Sequence, residues 1–77
     1  MGCAFGVWNS TEKTLWFVLR SSDESGVILK VPVGKHKMVR LEHGEIVSSN
    51  IFEDEGAALR TIGIGEKDKF QHVVAEH

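Results

Sequence analysis

Two tryptophans, Trp8 and Trp16, and a basic stretch of Lys30, Lys35, His36, Lys37 and Arg40 are the residues here with most to offer a partner. An indole ring buries a large apolar area at a protein contact and stacks on flat ligands such as sugar rings. Lysine and arginine on one hairpin meet phosphate or carboxylate groups. If Leu15, Phe17 and Leu19 turn toward a core, Trp16 and Val18 turn away from it, and Trp8 lies opposite Phe5 and Val7. The candidate contact residues are therefore Trp8, Trp16, Val18, Lys35, Lys37 and Arg40. Lysines on an exposed strand also block edge-to-edge pairing, a duty that needs no ligand.

Signals for catalysis are weak. There is no nucleophile elbow, no phosphate-cradling loop and no paired-carboxylate motif, and Gly63-Ile64-Gly65 lacks the third glycine of a dinucleotide fingerprint. His36, His43, His72 and His77 have no close histidine or cysteine neighbour in sequence and read as scattered surface histidines. Glu53-Asp54-Glu55 is too short for a calcium loop and reads as a solvated acidic turn. The expectation is a protein that is not an enzyme, with no catalytic residue, no metal and no cofactor.

Two modification motifs need weighing. Met1-Gly2-Cys3 offers Gly2 for myristoylation and Cys3 for a second acyl chain, which together hold a protein on a membrane. The pattern wants Ser or Thr at the sixth position, where this chain has Gly6. Asn9-Ser10-Thr11 fits the glycosylation triplet, but residues 1–8 do not read as a secretory signal, so the match is expected to be chance.

Length and composition narrow the setting. Seventy-seven residues make one domain, residues 1–77, with a core small enough that stability is marginal unless something adds to it. The single cysteine rules out an internal disulfide and suits a reducing, cytoplasmic location. No apolar run reaches the length of a transmembrane segment. Net charge is −2, the wrong sign for a general nucleic-acid binder. Residues 1–40 carry six Lys/Arg against three Asp/Glu, and residues 41–77 carry three against eight. Neighbouring strands of opposite charge account for that asymmetry most simply.

The elements that must position these residues are short apolar runs fenced by turn signals. Cys3–Trp8, Lys13–Arg20, Gly26–Val31, Lys35–Leu41, Glu45–Phe52, Ala57–Ile64 and Lys69–Val74 read as seven strands. Pro32-Val33-Gly34 marks a turn, Glu42-His43-Gly44 a hairpin turn, and Gly65–Asp68 another turn. Gly56 and Gly63 leave little room for a helix between them, and Ala75-Glu76-His77 should fray. Intervals this short exclude parallel crossovers, so the sheets should be antiparallel. The fold expected is an all-β, small antiparallel β-sandwich of about seven strands, with a flattened β-barrel as the alternative. Its core draws on Phe5, Val7, Leu15, Phe17, Leu19, Val27, Leu29, Val31, Val39, Leu41, Ile46, Leu59, Ile62 and Phe70.

The function expected is a non-catalytic binding or assembly module. Self-association through sheet edges or an aromatic face comes first, because a small core without a staple gains stability by burying surface between subunits. The partner is a second copy or another protein. Lectin-like recognition of a carbohydrate or small ligand at exposed tryptophans is the alternative, followed by an acylated membrane-associated module.

Overall fold

The computed structural model describes residues 3–41, 44–63 and 68–77. Six strands and one helix follow in the order β1 (Cys3–Trp8), β2 (Leu15–Ser21), β3 (Gly26–Val31), β4 (His36–Leu41), β5 (Ile46–Phe52), α1 (Glu55–Ile62) and β6 (Phe70–Val74). The fold is all-β, in two sheets that do not close into a barrel. One sheet is a ribbon of β1 and β4; the other has the order β5-β2-β3-β6.

Binary patterning explains the layers. Both faces of β2 and β3 are buried, which is why these strands read as nearly unbroken apolar runs, LWFVL and VIL. On one face Leu15, Phe17, Leu19, Val27, Leu29 and Val31 meet Val7 and Val39 of the ribbon. On the other face Val18, Ile28 and Phe70 meet Ala58 and Ile62 of α1. The molecule thus has three layers: ribbon, central sheet and helix.

Several expectations need correction. The run Ala57–Ile64 is not a strand: residues Glu55–Ile62 form a helix. Asp54 caps it, its carboxylate accepting from the Ala57 N–H at 3.0 Å, Glu55 complements the dipole in the first turn, and Gly63 ends it at φ 76°. Ala58 and Ile62, four apart, share the buried face. Next, β6 pairs with β3 in parallel, Gly26 opposite Phe70, so the sheets are not wholly antiparallel. The intervening β4, β5 and α1 together supply the crossover that no single interval is long enough to make. Finally, Gly44 closes no hairpin, because β4 and β5 lie in different sheets.

The turn expected at Pro32-Val33-Gly34 holds, and the fraying expected of Ala75-Glu76-His77 does not. Pro32 ends β3 and opens a turn in which the Lys35 N–H reaches the Pro32 carbonyl at 3.0 Å, with Gly34 at φ 76°. The tail does not fray: Ala75 N–H donates to the Lys30 carbonyl, and the His77 carbonyl accepts from the His36 N–H at 2.6 Å. Glu42 and His43, Gly2, the Cys3 side chain and most of the Gly65–Asp68 turn lie outside the described residues.

Candidate functional site

Strand alternation decides which face each candidate occupies. In β1, Phe5 and Val7 turn inward, and Ala4, Gly6 and Trp8 turn out. Opposite them across the ribbon stand Arg40, Met38 and His36. The outer face therefore carries three facing pairs: Ala4 with Arg40, Gly6 with Met38 and Trp8 with His36. Trp8 is 74% exposed and Met38 54%. The indole and imidazole rings lie 5.8 Å apart, tilted by 42°. Gly6 leaves room beside the Met38 thioether, and a groove of about 230 Å³ runs over Gly6, Val7, Trp8, His36, Lys37 and Met38.

Trp16 and Val18 do not join this surface. They sit on the helix-facing side of the central sheet, where Val18 is fully buried against α1. Trp16 is half-buried beside Phe52 and Leu59, with the Lys30 ammonium 5.9 Å from its ring centroid. The two tryptophans are separated by the sheet itself, so a shared aromatic patch does not form. Val18 has no surface to offer a ligand, because α1 fills the face that a helix-free sandwich would have left open.

The basic residues divide as well. Arg40 and His36 border the Trp8 face, Lys35 projects from the β3–β4 turn, and Lys37 is half-buried opposite Val7. Lys30 belongs to the central sheet. Of the proposed contact residues, the structure brings Trp8 and Arg40 onto one face, with His36 of the basic stretch beside Trp8, and adds Met38, which was not among the candidates. Its signal was present: in β4 it alternates with the buried Val39.

Behind the ribbon a buried polar side chain fixes its end. Asn9 has no exposed surface. Its Nδ2 donates to the Lys13 carbonyl at 2.7 Å and the Val31 carbonyl at 2.8 Å, and its Oδ1 accepts from the Thr11 N–H at 2.9 Å and the Thr11 hydroxyl. The Asn9 N–H donates to the Lys35 carbonyl, and the Asn9 carbonyl accepts from the Gly34 N–H. This single residue ties the end of β1 to the start of β2, the end of β3 and the turn into β4. An amide nitrogen so enclosed offers nothing for glycan attachment in the folded chain.

The remaining features are structural. Arg20 donates to the Thr61 carbonyl at 2.8 Å near the end of α1 and lies over the Phe70 ring. Ser25 donates to Asp23 through both its hydroxyl and its backbone N–H, which holds the Asp23 carboxyl below the usual value. Among the described residues no group of three His, Cys, Asp or Glu converges, and no helix is long and apolar enough to cross a membrane. Compared with known proteins, the chain matches no family model, no curated protein and no solved structure.

Proposed function

We propose that the chain is a non-catalytic binding or assembly module that associates with a second copy of itself through the outer face of the β1–β4 ribbon. The observation that carries this reading is Trp8, three-quarters exposed beside an exposed Met38 on a two-stranded ribbon. Large rings left in water on an ordered strand mark contact surfaces, since their packing cost in conformational entropy is already low. Covering the exposed part of one indole contributes about 4 kcal/mol before the entropy of association is subtracted. A chain of this length without a disulfide gains stability from that burial.

Sedimentation velocity across a micromolar dilution series tests it. The expected result is a concentration-dependent dimer that Trp8→Ala converts to monomer. A monomer at every concentration, with a melting temperature independent of concentration, overturns the reading. Lectin-like stacking is the second reading, favoured by the free indole face above a shallow groove. A shift of Trp8 emission by a sugar panel, at concentrations where the protein is monomeric, would select it.

A further inference from the structure

A two-stranded ribbon cannot cover a four-stranded sheet, and burial shows where it falls short. On the ribbon side the central strands β2 and β3 are buried along their length. The flanking β5 presents Ser49 and Ile51 on that same side, opposite Leu19 and Phe17, and both are exposed, Ile51 at 60%. A groove shared by Val39 and Leu41 of β4 with Gln71 and Val73 of β6 places β4 on the β6 side. The His36–His77 backbone bond places it there too. β1 is therefore the ribbon strand beside β5. Among the described residues no element pairs with its other edge.

Backbone polarity along that edge follows from the ladder. Asn9 N–H donates across the ribbon, while His36 N–H donates away from it. Antiparallel pairing alternates, so Phe5 and Val7 direct their backbone groups to β4, and Ala4, Gly6 and Trp8 direct theirs into the space above β5. The edge is also unguarded. Cys3–Trp8 holds no charge and no proline, and its pairing has no bulge. β5 is bulged opposite Arg20 and Ser21, and the start of β4 is closed by the tail. Proteins normally protect an open strand edge. Among the described residues a row of free backbone donors and acceptors stands beside a floor one strand wide, formed by Ser49 and the apolar Ile51.

We infer that this slot receives an extended segment of a partner polypeptide, about five residues long, with apolar side chains at alternate positions. The segment pairs with Ala4, Gly6 and Trp8 and lays its apolar side chains on Ile51, completing a three-stranded upper sheet. The slot uses the backbone of Trp8, not its ring, so it stands apart from self-association through the outer face.

Backbone pairing supplies most of the contact, so a generic alternating peptide suffices as probe. The acetylated and amidated heptapeptide TVTVTVT is titrated to millimolar concentration while amide exchange is followed residue by residue. The expected result is that exchange at Gly6 and Trp8 slows about tenfold or more, with Phe5 and Val7 unchanged because β4 already protects them. Ile51→Lys, at an exposed position, should weaken the peptide several-fold without changing the far-ultraviolet circular dichroism. Met38→Glu, on the outer face and outside the slot, should leave peptide binding intact while removing any dimer, which separates this inference from the self-association reading. Three results overturn it: no slowing at Gly6 and Trp8, an affinity that ignores Ile51→Lys, or slowing that rises with protein concentration alone and survives Met38→Glu. The last would assign the slot to a second copy.

Discussion

Replacing Asn9 should cost this chain a large part of its stability, and the size of the loss can be worked from its partners. Asn9→Ala removes four side-chain hydrogen bonds. Thr11 and Lys13 are exposed, so water can take over three of them, at a net cost of roughly 0.5 kcal/mol each. Val31 has no exposed surface; its carbonyl keeps the Leu15 N–H across the β2–β3 ladder but loses its second donor where water cannot replace it, which costs a further ~1 kcal/mol. The total is about 2.5 kcal/mol, set against roughly 4–12 kcal/mol for a chain of this length. Asn9→Asp is the sharper variant. It keeps the shape but turns an oxygen toward the Lys13 and Val31 carbonyls in place of the donating nitrogen. Ionised, that carboxylate faces two acceptors; protonated, it regains one donor. Its folded pKa is therefore raised above the unfolded value, and its contribution to stability falls as pH rises between the two. Urea unfolding followed by circular dichroism, for wild type and both variants at neutral and mildly acidic pH, reads the effect. Asn9→Asp should lie further below wild type at neutral pH than in acid. A loss under about 1 kcal/mol for Asn9→Ala, or an Asn9→Asp deficit that does not shrink in acid, would refute the assignment of Asn9 as the tie between both sheets.

Two further outcomes follow from local geometry. Gly26→Ala would drive a methyl group into the Leu19 carbonyl oxygen and the Phe70 ring, and since the carbonyl is backbone it cannot step aside. Thermal unfolding should show a loss of about 2 kcal/mol, or roughly 10 °C in Tm, and an unchanged Tm would contradict the β3–β6 packing. Asp23 has its folded pKa lowered chiefly by the Ser25 hydroxyl and then by the Ser25 N–H. Its stabilisation is present above the unfolded value and is lost as pH falls through the folded one, so Asp23→Ala should lower stability at neutral and alkaline pH, converge on wild type in acid and so flatten the acid limb of a stability–pH curve.

Much of the frame was legible because period-two alternation survives wherever one face meets water. β1 shows it cleanly, with Phe5 and Val7 against Trp8, and so does β4, with Val39 against Met38. β2 and β3 are buried on both faces, so alternation could not say that Trp16 and Val18 also face a core; the unbroken apolar run was the better signal. The helix is obscured for a related reason. Gly56 and Gly63 read as breakers, whereas Asp54 as cap, the i, i+4 pair Ala58 and Ile62, and Gly63 as terminator spell a short helix that packing on Val18 and Ile28 stabilises. Parallel pairing of β3 with β6 was hidden because it depends on three intervening elements acting as one crossover. The outer-face pair of Trp8 with His36 depended on register between strands that are distant in sequence, which only the ribbon supplies.

That parallel pairing also sets a timetable. Gly26 cannot meet Phe70 until β4, β5 and α1 have been laid down between them, and closing so long a loop is slow relative to forming the β2–β3 hairpin. Through that interval Val27, Ile28, Leu29 and Val31 stand on an open edge of a strand that will end up central. The stretch is apolar, rich in β-branched residues and broken only by Lys30. It is where a half-folded molecule would find its neighbours, so aggregation during refolding should track the docking of β6 rather than the stability of the finished fold.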